Sequence, residues 1–326
     1  MQAAIQGLGS YLPERVVTNE DWARWVDTSD EWIVERTGIR RRRFVAEDET
    51  TATVATAAAR AALEDAGLAA EEVGEIILAT DTPEVPSPDT AAHVQHALGV
   101  GHVPTYDLAG AGCAGWVQGL DLARCRTQID GRRVLVIGVE VLSRIMSWKD
   151  RNTCVLFGDG AGAAVVGREG PLRIVEAVMR TDGAAAGLLG KEVGGTRTPF
   201  SREELEAGRH DQLVMNGRAV FRAALKRMRE AVDEVLERAG VGLDAIELLV
   251  PHQANQRIVN ALAENLALPP ERLVSNVEEY GNTGSASLPI ALREARAAGR
   301  LPRRGYVLLT AFGAGFHWGA ALLHTG

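Results

Sequence analysis

An α/β fold built from two similar halves is what this chain predicts, and three patterns predict it. Strand-like and helix-like runs alternate along most of the 326 residues. The passage at 62–79, a helix end, a turn and a buried strand, is repeated in kind at 235–250. Each half then closes on a strand and a glycine-rich turn that feeds a last strand, at 157–166 and at 312–323. A chain of this length exceeds one compact layer, so two domains or one double unit are expected. The pattern restarts after Gly170, which divides the chain into 1–170 and 171–326.

The elements follow in order. An apolar strand at 3–8 leads the chain. An alanine-rich helix at 55–66 precedes a buried strand at 75–80, and a helix at 90–98 follows. A strand at 103–108 ends in small residues, and a helix at about 116–128 begins just beyond them. A strand at 134–139 leads to the glycine-rich turn at 157–166. That turn lacks the Lys-Ser/Thr ending of a phosphate loop, and its strand follows the glycines, so it reads as structural. The second half offers a strand at 172–179, a polar loop at 181–211 and an amphipathic helix at 218–239. A strand ending near Val250, another at 273–277 and a helix after Gly284 complete the parallel.

Composition narrows the function classes. Net charge is −8, which argues against general nucleic-acid binding. Three cysteines form no disulfide framework and fit a reducing cytoplasm. No basic-plus-apolar leader opens the chain and no apolar run approaches a membrane span, so a soluble cytoplasmic protein is expected. His93 and His96 share a helix face without a third ligand, so no metal site is expected. Arg40–Arg43 form a basic run that reads as an ion-paired or solvated face at least as well as a phosphate site.

The chemistry centres on Cys113. It falls between glycines at the start of a helix, where unpaired N–H groups and the positive dipole end favour a thiolate. His252 lies just beyond a buried strand of the second half, and Asn282 in a small-residue turn before a helix. Each has a bland alternative: a cysteine filling a gap, a histidine tied into a loop, an asparagine forming a turn. Three such residues at corresponding strand ends favour a catalytic group drawn from both halves. Cys125 and Cys154 read as packing residues.

These residues sit in motifs that resemble β-ketoacyl-acyl-carrier-protein synthase III, a condensing enzyme of the thiolase superfamily. The motifs are Gly-Ser-Tyr-Leu-Pro at 9–13, Asp-Thr-Ser-Asp-Glu-Trp-Ile-Val at 27–34, Arg-Thr-Gly-Ile-Arg at 36–40 and Gly-Cys-Ala-Gly at 112–115. Phe-Gly-Asp-Gly-Ala-Gly at 157–162, Pro-His-Gln-Ala-Asn at 251–255, Gly-Asn-Thr at 281–283 and Phe-Gly-Ala-Gly at 312–315 continue the match. The resemblance implies a thiolase-like fold, two similar halves in a five-layer α-β-α-β-α arrangement, as a homodimer. It implies an acyl group passing from coenzyme A to Cys113, then a decarboxylating condensation with malonyl-acyl-carrier protein that initiates type II fatty-acid synthesis. Coenzyme A thioester is then a substrate, and no cofactor is required.

The same resemblance implies roles residue by residue. His252 and Asn282 donate to the enolate oxygen formed by decarboxylation; the backbone N–H groups of Cys113 and Ala314 form a second oxyanion hole. Trp32 and Arg151 sandwich the coenzyme A adenine, with Thr28 and Arg36 beside it; Phe221 and Asn255 line the pantetheine tunnel. Arg222 and Arg257 meet the acidic carrier protein. Ser87, Trp116 and Phe312 shape the acyl pocket, Ser87 from across the dimer. Ser87 stands where a bulky apolar residue is usual, and His317 where threonine is common, which leaves primer length open. A specialised polyketide condensing enzyme or acyltransferase is the alternative; a non-catalytic partner subunit is expected to lack one of the three catalytic residues.

Overall fold

A computed structural model describes residues 2–326. The first half runs β1 (Ala3–Tyr11), β2 (Arg15–Thr18), α1 (Asn19–Trp22), α2 (Asp30–Thr37), β3 (Arg41–Phe44), α3 (Thr51–Ala66), β4 (Glu75–Thr80), α4 (Thr90–Leu98), β5 (Thr105–Ala109), α5 (Gly115–Asp130), β6 (Val134–Glu140) and β7 (Gly160–Gly167). The second runs β8 (Leu172–Thr181), β9 (Leu189–Lys191), α6 (Arg202–Glu206), β10 (Leu213–Met215), α7 (Gly217–Ala239), β11 (Ile246–Pro251), α8 (Gln256–Asn265), α9 (Val277–Tyr280), α10 (Ser287–Ala297), β12 (Gly305–Gly313) and β13 (His317–Thr325).

The duplication is visible in the strand order. From β1 outward the first half pairs β1-β7-β6-β4-β5; from β8 outward the second pairs β8-β13-β12-β11. The two join where Ala3–Ile5 of β1 pairs with Leu172–Ile174 of β8. The second-half counterpart of β5, the strand expected at 273–277, does not form. It is reduced to one parallel bridge between Leu249 and Leu273, with the Val274 N–H on Leu249 O. Pro269 and Pro270 start a 3-10 turn just before it, and Val277 already begins α9, which leaves too few residues free to pair.

Alternation within the strands builds five layers. Ile77 and Val136 face inward onto α5, together with Leu248, Val250 and Leu309 of the other half. Ile76, Leu78, Leu135 and Ile137 face outward onto α3 and α4. Leu249 and Leu308 face outward onto α7 and α8. Helices α5 and α10 therefore fill the middle, between two sheet faces buried on both sides.

The repeated Ala-Gly pairs at 66–67 and 239–240 end equivalent helices. Gly67 has φ 64° and Gly240 φ 65°, and each N–H reaches back to a Leu and a Glu carbonyl. The polar loop at 181–211 contains β9, which pairs with β10 just beyond the loop, Leu213 on Lys191. The basic run splits by strand alternation. Arg42 is fully buried, donating to Asn19 Oδ1 at 2.7 Å and to Val155 O, and burial lowers its pKa to about 9. Arg40 pairs with Glu278 at 2.8 Å and Arg41 with Glu279 at 3.5 Å, so the run is an ion-paired edge around one buried strut. Asp159 of the 157–166 turn accepts from Val45 N, Ser143 N and Ser143 Oγ, a structural clamp.

Candidate active site

Cys113 occupies a 3-10 turn, Gly112–Ala114, that runs straight into α5. Gly112 takes φ 56°, and a Cβ there would lie 2.6 Å from Ala314 N. A Cβ on Gly313 would lie 2.4 Å from Cys113 N. Two glycines thus let the cysteine turn and the β12–β13 turn press backbone to backbone. The N–H groups of Cys113 and Ala314 come from these two interlocked turns. Ala314 is not among the described residues with positive φ, so alanine fits there without strain.

His252 follows β11, its N–H on Thr310 O at 2.8 Å, and it is 3% exposed. Its Nδ1 lies 2.6 Å from Ser287 Oγ, while the Gln253 N–H donates to that same oxygen at 3.4 Å. Ser287 Oγ has no other acceptor among the described residues, so donating its proton to Nδ1 satisfies both groups and leaves the ring proton on Nε2. Burial drops the imidazole pKa to about 3, so it is neutral near pH 7.

Asn282 is held by its N–H on Leu156 O at 2.8 Å and by its Oδ1 accepting from Gly284 N at 2.9 Å. With Oδ1 engaged, Nδ2 is the free end, and the Asn282 amide acts to lower the pKa of the Cys113 thiol in the same cavity. The cysteine departs from its helix-start expectation. Burial first, then the carboxylates of Asp81 and Glu140, push the thiol pKa up, outweighing the Cys113 N–H and the Asn282 amide. Desolvation is larger here than the helix-start effect, and the resting group is a thiol.

Glu140 and Asp81 escape sequence reasoning, although a carboxylate at the end of a buried strand is a usable signal. Glu140 is in hydrogen-bond contact with Asp81 N at 3.1 Å, Thr82 Oγ1 at 3.0 Å and Ser285 Oγ at 3.0 Å. Burial and the neighbouring Asp81 raise it well above the usual carboxylate range. Desolvation by the surrounding protein also raises Asp81, whose side chain is exposed along the cavity edge. Ser287 escapes too; it sits in a Gly-Ser-Ala-Ser run that looks like ordinary turn chemistry.

Cys113, His252 and Asn282 share one cavity of about 880 Å³ with Phe312, Phe221 and Asn255. Asn255 caps α8, accepting from Arg257 N at 2.8 Å and donating to Arg36 O at 3.2 Å. Arg36, Arg218, Arg222 and Arg257 border the same cavity and are exposed. Trp32 is covered by both Arg36 and Arg151, with Cζ atoms 4.5 and 5.1 Å from the ring centroid. A purine between Trp32 and Arg151 needs about 7 Å, two van der Waals separations, so the pair is closed in this state. Arg151 is also tied to Asp27, at 2.6 Å to the carbonyl and 3.2 Å to the carboxylate. Thr28 Oγ1 nearby is buried without a hydrogen-bond partner.

Two residues assigned to the acyl pocket lie away from the cavity of the single chain. Trp116 does not line the cavity. It is 1% exposed in the middle layer, its indole N–H directed at Val136 O and its ring against Gly138. Ser87 is exposed and lies off the cavity, to which its loop contributes Pro83.

Family models agree with this geometry. 3-Oxoacyl-[acyl-carrier-protein (ACP)] synthase III matches residues 106–183, and the C-terminal model of the same synthase matches 236–325. The β-ketoacyl-[acyl-carrier-protein] synthase III of Caldanaerobacter subterraneus subsp. tengcongensis is 46% identical over 98% of this chain and 97% of its own. The chain belongs to this synthase III family. The Symbiobacterium thermophilum family member is 47% identical over 99% of this chain and 98% of its own. Among solved structures, the Thermus thermophilus synthase III superposes with TM-score 0.91 at 46% identity, covering 99% of both chains. A priming β-ketosynthase from the R1128 polyketide pathway superposes at 0.90 with 35% identity, over 99% of this chain and 96% of its own. Family membership makes the protein a condensing acyltransferase. No helix among the described residues is long and apolar enough to cross a membrane.

Proposed function

We propose that this synthase III initiates fatty-acid synthesis by condensing an acyl-coenzyme A primer with malonyl-acyl-carrier protein through an acyl-Cys113 intermediate. Cys113 Sγ attacks the thioester carbonyl, coenzyme A leaves carrying the thiol's proton, and the oxyanion is met by the N–H groups of Cys113 and Ala314. Malonyl thioester then loses carbon dioxide, and the electrons of the broken C–C bond form an enolate. His252 Nε2–H and Asn282 Nδ2–H donate to its oxygen. The enolate carbon attacks the acyl carbon, the C–S bond breaks, and Cys113 recovers a proton. Asn282 has no basic atom, which fits charge stabilisation and not proton abstraction.

The orientation of the two donors carries this reading: Ser287 and the Gly284 N–H turn Nε2–H and Nδ2–H toward the thiol's cavity. The exposed arginines at the cavity rim suit an acidic carrier protein on a chain of net charge −8. In this reading Trp32, Arg36, Arg151 and Thr28 hold the nucleotide once the Trp32–Arg151 pair opens, which the two arginines stacked on the indole support. Cytoplasmic location and a homodimer belong to the same proposal. The polyketide alternative draws on the structural likeness to the R1128 enzyme. The test is formation of 3-oxoacyl-carrier protein with stoichiometric carbon dioxide from labelled malonyl-carrier protein. Acylation of Cys113 without carbon dioxide release would instead mark an acyltransferase with another acceptor.

A further inference from the structure

Glu140 ends β6 with a buried carboxyl to which the condensation gives no role. It is 1% exposed, borders the cavity and forms no ion pair among the described residues. Its Oε2 is well supplied with donors, Thr82 Oγ1 at 3.0 Å and the Asp81 N–H at 3.1 Å. Thr82 Oγ1 itself accepts from Val141 N at 2.9 Å, which leaves the hydroxyl proton for Glu140.

At Oε1 the protons do not suffice for a carboxylate. Oε1 faces Ser285 Oγ at 3.0 Å. The same Ser285 oxygen lies 2.8 Å from Ala79 O and 3.4 Å from Val139 O, and neither carbonyl can donate. A serine hydroxyl carries one proton. With Glu140 ionised, that proton faces both the carboxylate and the Ala79 carbonyl, and one buried contact is left between two acceptors. With a proton on Oε1 both contacts are hydrogen bonds: Oε1–H donates to Ser285, and Ser285 donates to Ala79 O. The neighbouring acid, Asp81, is exposed along the cavity edge and carries its charge in water; two adjacent acids do not both ionise readily. A charge on Glu140 also opposes a Cys113 thiolate, and the proton lifts that opposition.

Ser285 belongs to the turn that carries Asn282. The Gly284 N–H holds Asn282 Oδ1 at 2.9 Å, and a Cβ on Gly284 would lie 2.6 Å from Glu140 Cγ. Glu140 thus meets this second-half turn twice, by its stem at Gly284 and by its acid group at Ser285, while Thr82 and Asp81 hold the carboxyl in the first half. We propose that Glu140 is a neutral carboxylic acid whose proton, donated to Ser285, fixes this turn and aims Asn282 at the malonyl enolate. It is a positioning residue for the decarboxylating step, and the proposal rests on the condensing reading of the same site.

The experiment joins infrared spectroscopy to single-turnover chemistry on the full chain. The spectrum of wild type minus Glu140→Gln, taken near pH 7, is expected to show the C=O stretch of one protonated carboxylic acid. Glu140→Gln replaces the Oε1–H donor with an amide N–H, so it is expected to keep most of the rate at which malonyl-carrier protein discharges acyl-Cys113. Glu140→Met, which has no donor, and Ser285→Ala are each expected to slow discharge by about tenfold with acyl loading spared. The double variant is expected to be no slower than either alone. A carboxylate band in place of the acid band overturns the proposal. So does a glutamine variant as slow in discharge as the methionine variant, or a methionine variant that discharges at the wild-type rate. If the methionine variant does not fold, the infrared band and the comparison of Glu140→Gln with Ser285→Ala decide. If wild-type acyl-Cys113 is never discharged, the condensing reading falls, and the infrared band still decides whether Glu140 holds a proton.

Discussion

Neutrality of His252 is what allows it to donate Nε2–H to an enolate without becoming a base, and burial is what keeps it neutral. With the folded pKa at about 3 and the unfolded value near 6.5, only the unfolded chain takes up this proton between those limits. The His252 contribution to stability is therefore fully present above about pH 6.5 and is lost as pH falls toward 3, at up to about 1.4 kcal/mol per pH unit. Denaturant midpoints of wild type and His252→Gln are expected to converge as pH drops through that window; parallel curves would contradict the assigned burial. His252→Ala and Asn282→Ala should each slow discharge of acyl-Cys113 by about 10²–10³-fold, leaving acyl loading much less affected. Ser287→Ala should slow the same step by about tenfold, through loss of the tautomer-setting bond. Cys113, His252 and Asn282 are legible in the sequence because each closes a strand or a small-residue turn. Asp81, Glu140 and Ser287 are not, because their meaning depends on which elements they face. The direction of the thiol's shift is hidden for the same reason: helix position is local, whereas desolvation and Asp81 are tertiary.

At the level of elements, glycines do separable work. Gly67 and Gly240 have no atom within 4 Å of where an added methyl would sit, so Ala at either tests backbone strain alone. Each substitution should destabilise by about 1–2 kcal/mol in denaturant titration. Gly313→Ala is different, since its methyl would meet the Cys113 backbone at 2.4 Å. It should reduce the rate of Cys113 acylation as well as stability, because the two N–H groups of the acyl-transfer hole lie on the turns it pushes apart. Helices and buried strands are legible from periodicity and Ala-Gly stops. The strand expected at 273–277 is not a strand, since its apolar pattern lies between two prolines and the α9 start, which leave it only one bridge. Trp116 lies outside the acyl pocket because sequence proximity to Cys113 says nothing about which side of α5 an indole takes.

The whole molecule explains why one site needs both halves. The strand order is nearly mirrored across the β1–β8 junction, and α5 and α10 fill the space between the two sheet faces. Cys113 comes from the β5–α5 connection, His252 from beyond β11 and Asn282 from the turn before α10. The duplication at 62–79 and 235–250 announces this in the sequence, while the contact between the Gly112 and Gly313 turns needs the fold. β5 forms the outer edge of the first half, with the exposed 85–88 stretch of the neighbouring loop beside its end of the sheet. An edge strand favours pairing with another chain, so sedimentation should give twice the chain mass; a monomer would remove Ser87 from any acyl pocket. The central claim is tested most directly by intact-protein mass spectrometry after an acyl-coenzyme A panel and then malonyl-carrier protein. A gain of one acyl group that disappears on adding malonyl-carrier protein, and never forms in Cys113→Ala, is the predicted result. An acyl gain that persists in Cys113→Ala, or no gain with any ester, would contradict it.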